Sequence, residues 1–229
     1  MCGRVTLTLD KETVMDLLDL RYDVRSAPLE GHVPRYNISP GQDLLAVLYD
    51  RHSHSNRAGW LHWGFEGSWA PRGRSPKAYS NARSEDILQR STFRESFLNR
   101  RCLLLADGYY EWQSNTGFRQ PYYVHPPGRE LLALAGIWTS TQKEDGRKSY
   151  SCAVLTTGST GMLKSIHDRM PVVLPPEKEA FWLQSSPEAM LQVPPDFFTS
   201  YPQEFLKMHP VSTLVNHVAY DSVDCIKEV

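Results

Sequence analysis

Six short apolar runs constrain this chain most. They span residues 44–49, 101–106, 121–125, 131–138, 151–157 and 171–174, and several are rich in β-branched or aromatic side chains. Runs of that length and composition read as β-strands. Helical spacing is rarer. Asp10 is a plausible N-cap for a helix whose Val14, Leu17, Leu18 and the aliphatic stem of Arg21 recur on one face. Residues 91–98 predict a short helix with Phe93 and Phe97 turned inward, and Pro176 suits the first turn of a helix running through Leu183. Strands outnumber helices, so the fold class is α+β. Nothing rich in Gly and Ser divides the 229 residues, and a 41% hydrophobic content suffices for a sizeable core. One domain over 1–229 is therefore expected.

Four cysteines (Cys2, Cys102, Cys152 and Cys225) show no CxxC spacing, and three lie in or near apolar runs. This is the usage of a reducing compartment, not of a disulfide framework or a zinc site. No apolar run approaches the roughly 18 residues of a membrane span, and the N-terminus lacks a signal peptide's apolar stretch. A soluble cytoplasmic protein without a metal is expected. The net charge is −1, yet eight positive and only three negative residues fall between Gly67 and Arg101. Trp60, Trp63, Phe65, Trp69 and Tyr79 border and interleave that segment. Basic side chains beside aromatic ones suit single-stranded nucleic acid; a solvated loop beside core tryptophans is the plainer alternative.

Cys2 follows the initiator methionine, and removal of Met1 would make it the first residue. Such a terminus carries an α-amine of pKa roughly 7.7 to 8.0 and, one carbon away, a thiol near 8.5. The amine can condense with an aldehyde to an imine, and the thiol can close on the imine carbon to give a five-membered thiazolidine. Taken alone, Cys2 is also an ordinary small apolar residue near a translation start.

Further segments change that balance. Met1-Cys2-Gly3-Arg4 is followed by Arg35-Tyr36-Asn37-Ile38-Ser39-Pro40-Gly41 and then by Ser80-Asn81-Ala82-Arg83-Ser84-Glu85. Ala106-Asp107-Gly108-Tyr109-Tyr110-Glu111-Trp112 and Ile166-His167-Asp168-Arg169-Met170-Pro171 come after them. This ordered set closely resembles the SOS response-associated peptidase family, whose members attach covalently to abasic sites in single-stranded DNA. The likeness runs from residue 2 to about 216, where His209-Pro210-Val211-Ser212 and Val215-Asn216 resemble the family's closing segment. It implies a curved, mostly antiparallel, barrel-like sheet with peripheral helices.

Roles can then be assigned. An abasic sugar is mostly a closed hemiacetal, and a proton must move to expose its aldehyde. Glu111, flanked by Tyr109, Tyr110 and Trp112, is the candidate acid–base, because partial desolvation raises a carboxyl toward the useful range. The family's ring-opening glutamate falls on this position. His167, of the one side chain that ordinarily titrates near neutrality, is the second proton carrier. Asp168 and Arg169 follow it and could instead stiffen the segment through an ion pair. The resemblance gives Asn81 the task of sensing the abasic site and orienting it toward Cys2, with an amide that both donates and accepts. Arg4 and Arg83 would grip phosphates through the guanidinium fork. Asn37 would hold the N-terminal strand or the DNA backbone. Trp69 is a candidate wedge against a neighbouring base, although Arg72-Gly73-Arg74 nearby departs from the family's more hydrophobic versions. His52, His54, His62 and His125 match no motif and read as surface or loop residues.

The expectation is a monomeric protein, nucleoid-associated when bound to DNA, that forms a thiazolidine crosslink through Cys2 with abasic single-stranded DNA. The aldehyde is itself the electrophile, so no cofactor is needed. Two alternatives stand: a cysteine peptidase acting on its own N-terminus through Cys2 and His167, and a non-covalent single-strand DNA-binding module.

Overall fold

Five strands close on themselves, and what closes them is the apolar runs. The computed structural model describes residues 2–67, 78–115, 118–128, 130–143, 145–199, 201 and 203–229. The first half of the chain forms β1 (Val5–Leu7), α1 (Lys11–Tyr22), β2 (Arg35–Ile38), β3 (Asp43–Asp50), β4 (Ser55–Trp63), β5 (Phe65–Glu66), β6 (Ala78–Tyr79), β7 (Asn81–Arg83) and α2 (Ser91–Asn99). There follow β8 (Arg101–Ala106), β9 (Gly108–Asn115), β10 (Phe118–His125), β11 (Leu132–Gln142) and β12 (Lys148–Gly158). The last part contains β13 (Arg169–Pro171), β14 (Val173–Leu174), α3 (Pro176–Gln184), α4 (Pro187–Leu191) and β15 (Lys207–Pro210).

Strands β12, β4, β3, β8 and β11 pair in that order, and β11 pairs back onto β12, which closes a barrel with no free edge. All its pairings are antiparallel except β12 with β4. Every residue of β8 is buried, as a strand packed on both faces requires. The predicted run 171–174 is split between two partners. Val172 donates its N–H to Leu155 of β12 and accepts from Ala135 of β11, so β13 extends one barrel strand and β14 the next.

A second sheet, in the order β15-β10-β9-β1-β2, lies beside the barrel and is antiparallel throughout. Within it, β9 and β10 pack closely where Gly108 starts β9: a Cβ there would fall 2.4 Å from the Tyr123 ring. The helices sit at the periphery. Asp10 caps α1 by accepting from the Thr13 N–H, and Val14, Leu18 and Tyr22 form its buried face. Arg21 does more than pack its stem, because its guanidinium pairs with Glu179 of α3. Phe93 and Phe97 of α2 point inward, and Pro176 opens α3. The result is an α+β fold built on a mostly antiparallel barrel.

Among the described residues, those of the expected single-strand surface do not form a continuous face. Trp63 and Phe65 are core residues, and the Trp60 indole donates to the Pro28 carbonyl at 2.7 Å. Arg101 is buried, with its guanidinium on the carbonyls of Phe97, Leu98, Trp182 and Ser185, while Arg90 pairs with Asp86. Trp69, Arg72, Arg74 and Lys77 lie outside the described residues. His125 is no loop residue: it lies in β10, stacked on Tyr123 at 4.9 Å and edge-on to His209. All four cysteines are free and buried. Among the described residues no helix is long and apolar enough to cross a membrane, and no group of three or more His, Cys, Asp or Glu could hold a metal ion.

Candidate active site

The register of the second sheet brings the N-terminus to Glu111. Val5 pairs with Tyr109 and Thr6 with Gly108, so continuing the ladder sets Gly3 opposite Glu111. The Tyr110 N–H donates to the Arg4 carbonyl at 3.0 Å, which extends the pairing beyond the regular strand. Asp107 locks the other end, accepting from the Thr6 hydroxyl, the Thr8 N–H and hydroxyl, and the Leu9 N–H.

A cleft of about 430 Å³ opens there, lined by Gly3, Arg4, Glu111, Trp112, Arg119, His167 and Asn216. Cys2 lies beside it, with no exposed surface of its own. Asn81 reaches it from the barrel side: β7 runs parallel to β12, and the Asn81 Nδ2 donates to the Cys2 carbonyl at 2.8 Å. The amide's Oδ1 is buried and has no hydrogen-bond partner among the described residues. It is therefore an acceptor that a hydroxyl could satisfy.

Burial dominates the electrostatics. Glu111 is 1% exposed, and desolvation pushes its carboxyl from an ordinary 4.5 up to about 7. Near neutrality it is then divided between acid and base forms. Burial, reinforced by the nearby Glu111 charge, pushes the Cys2 thiol well above its usual range, so it stays protonated. Burial also holds His167 below its ordinary value.

His167 stands on a turn that both sheets fasten. Its N–H donates to the Leu163 carbonyl at 3.0 Å, and Gln113 of β9 donates to the Ser165 carbonyl at 2.9 Å. The Nδ1 atom accepts from the Arg169 N–H at 2.9 Å and lies 2.8 Å from Asp168 Oδ1. These contacts ask opposite things of Nδ1. The lowered pKa favours the neutral ring that accepts from Arg169 and carries its proton on Nε2. Arg169 forms the ion pair that stiffens the segment. Arg169 forks onto Glu85 at 2.6 and 2.9 Å and donates to the Thr156 carbonyl at 2.7 Å.

Two of the residues expected at the DNA also hold the fold together. Asn37 has no exposed surface, and its amide is committed within the protein. Its Nδ2 donates to the carbonyls of Val215, His217 and Tyr220, and its Oδ1 accepts from Arg4. It ties the N-terminal strand to the closing segment. Arg4 is only 8% exposed; its Nη1 is committed to Asn37 and the Val215 carbonyl, and its guanidinium lies 5.7 Å from the Trp112 ring centre. Asn216 accepts from the Trp112 indole at 2.6 Å. Arg83 is exposed at the end of β7. Sequence reasoning missed Arg119 and Gln113. An isolated arginine just before an apolar run carries no periodic signal, and only the pairing of β9 with β10 makes it a neighbour of Glu111.

Comparison with other proteins places this arrangement. The chain is 31% identical over 231 residues to the abasic site processing protein YoaM of Bacillus subtilis, covering 99% of this chain and 97% of that one. It is 28% identical to the abasic site processing protein HMCES of Xenopus tropicalis, covering 100% of this chain and 78% of that protein. A solved protein of Bacteroides thetaiotaomicron shares the fold with a TM-score of 0.78 at 17% identity over the whole of both chains. A phage-related protein of Bordetella bronchiseptica does so with a TM-score of 0.69 at 27% identity, covering 92% of this chain and 94% of that one. The model of the family described as SOS response associated peptidase (SRAP) matches residues 1–218, and the chain belongs to that family.

Proposed function

We propose that this protein processes abasic sites in single-stranded DNA by forming a thiazolidine crosslink through Cys2 once Met1 has been removed. Relatives named abasic site processing proteins support the substrate. The observation that carries the chemistry is the convergence of Asn81 on the Cys2 carbonyl and of Glu111, with its carboxyl near 7, on the same cleft.

The steps follow from ordinary carbonyl chemistry. Glu111 moves the proton that opens the hemiacetal, leaving a free C1′ aldehyde. The Cys2 α-amine adds to that carbon to give a carbinolamine. His167 takes up a proton from solvent and delivers it to the departing hydroxyl, water leaves, and an iminium forms. The thiol adds to the iminium carbon and passes its proton to Glu111, closing the five-membered ring. The net change joins amine, aldehyde and thiol with loss of one water. Asn81 orients the sugar by offering its Oδ1 to a hydroxyl, and Arg83 meets a flanking phosphate. The ring removes the imine from the β-elimination path and so protects the strand from cleavage.

A peptidase needs a thiolate, and burial and the Glu111 charge both push the thiol away from that state. A binding module would leave Cys2 without a task. The test is a denaturing gel of protein mixed with single-stranded DNA holding one abasic site. A heat-stable shifted band is expected when Cys2 is the first residue, and none when an uncleaved tag precedes it, because an amide nitrogen forms no imine. A blocked terminus that crosslinks at the normal rate would overturn the mechanism.

A further inference from the structure

The cleft must accept an anion as well as a sugar. In an abasic strand the reacting carbon belongs to a nucleotide with a phosphodiester on each side, so a site that seats the sugar brings a negative charge with it. A buried or half-buried anion needs a positive partner.

The arginines around the cleft differ sharply in their freedom. Arg4 is nearly buried and bonded to Asn37 and Val215. Arg169 is clamped by Glu85 and Thr156. Arg119 is exposed and lines the same cleft as Glu111 and His167, and its guanidinium has no hydrogen bond or ion pair among the described residues. Its strand is held firmly: β10 is paired along its length with β9, and from Tyr122 to His125 with β15 as well. A fixed backbone thus presents a guanidinium that no described residue pairs with.

We infer that Arg119 is the phosphodiester anchor of the cleft, gripping a phosphate next to the abasic sugar and so fixing the register of the strand over Cys2. This rests on the crosslinking function above and adds to it the residue that meets the strand's charge inside the cleft. The assignment has a second consequence. The charged groups acting on His167 are Asp168, Arg119 and the chain's amino terminus, with Glu111 in the same cleft. Burial is the main reason His167 sits low, and the Arg119 charge adds to it. A phosphate on Arg119 offsets that charge, so seating the strand raises the proton affinity of His167 where a proton is next needed.

The test uses full-length protein carrying Cys2→Ala, which keeps binding reversible, and a single-stranded oligonucleotide with a tetrahydrofuran abasic analogue. Arg119→Gln should weaken binding about tenfold, the loss of one charge-assisted hydrogen bond. It should also flatten the slope of log affinity against log salt by about 0.7, the share of one phosphate contact on a single strand. Arg119→Lys should keep the slope. The side chain is exposed and makes no hydrogen bond or ion pair among the described residues, so thermal midpoints should match. By NMR, His167 in the free protein should titrate higher in Arg119→Gln than with Arg119 intact. Adding the oligonucleotide should raise it when Arg119 is present and leave it unchanged in the variant. An Arg119→Gln protein with unaltered affinity and salt slope would overturn the assignment. Failure of the crosslinking function reads differently: protein with Cys2 intact would give no heat-stable adduct whatever stands at position 119.

Discussion

The barrel and the sheet beside it solve the problem of burial in opposite ways. The barrel buries mainly hydrocarbon: Leu44, Leu45, Val47, Leu103, Leu104, Ile137, Val154 and Leu155 are almost wholly enclosed, with Arg101 and a few hydroxyls such as Thr156 as exceptions, and the closed ladder leaves few backbone groups to satisfy. The sheet buries polar groups as well, and Thr6, Asn37, Asp107 and Glu111 are all sealed within or against it. Each needs partners, and most of those partners fix something. Asp107 fixes the start of the chain, and Asn37 fixes Arg4 and the closing segment. The barrel supplies rigidity cheaply, while the sheet gives up some stability for a carboxyl near 7 and a precisely held N-terminus.

Cysteine breaks this comparison most severely. Cys2 and Cys152 are both buried thiols pushed far above their usual range by desolvation. If the sheet region holds the chemistry, Cys2→Ala abolishes the heat-stable adduct while DNA affinity stays close to normal. Cys152→Ala, within the barrel, should crosslink at the normal rate and lose about 1 to 2 kcal/mol of stability to the vacated volume. Gel quantification and denaturant melts measure the two effects. An essential Cys152 would move the nucleophile into the barrel.

Glu111 comes next. An acid whose folded pKa of about 7 exceeds its ordinary 4.5 binds its proton more tightly in the native state. Its contribution to stability is complete below about 4.5 and is lost as the pH rises through 7. Glu111→Gln is neutral throughout, so it should exceed the parent protein in stability at pH 8 by about 2 kcal/mol, with the gap closing as the pH falls toward 4.5. The same change should slow crosslinking to a closed-ring abasic site about 100-fold. A substrate whose aldehyde is already free should be slowed far less. Equal slowing on both substrates would make Glu111 structural or assign it a later step.

The same contrast decides what could be read in the sequence. Four of the five barrel strands stand out as apolar runs, and β4 does not because Asn56, Arg57 and Gly59 interrupt it. In the second sheet only β10 announces itself. Strands β1, β2 and β15 are three or four residues long, and β9 carries Glu111 and Gln113 among its aromatics, so neither period nor hydrophobicity marks them. The residues around Cys2 were legible as motifs through family resemblance, but their mutual placement depends on pairing between distant segments. That is why the core positions of Trp63 and Phe65 favour the plainer of the two readings drawn from local composition, core packing, over stacking on bases. Arg119 was invisible for the same reason.

The smallest expected effect on the chemistry belongs to Asp107, and it tests whether holding the strand matters apart from the reacting groups. Asp107 Oδ2 accepts from the Thr8 N–H, from the Thr8 hydroxyl at 2.7 Å and from the Leu9 N–H at 3.1 Å. Asp107→Asn keeps the side chain's shape, but turning an amide NH₂ toward those donors leaves buried groups unsatisfied. A loss of about 2 kcal/mol follows. The freed strand should lower the crosslinking rate several-fold with Cys2, Glu111 and His167 untouched, and saturating DNA should restore part of it. Asp10 is the control. It lies just past Leu9 and caps the peripheral helix α1, so Asp10→Ala should lose about 1 kcal/mol and crosslink normally. If both variants slow the chemistry in proportion to lost stability, the N-terminus is sensitive to stability in general. If only Asp107→Asn does so, the carboxylate's grip on the first strand is part of how the terminal amine and thiol are aimed at the cleft.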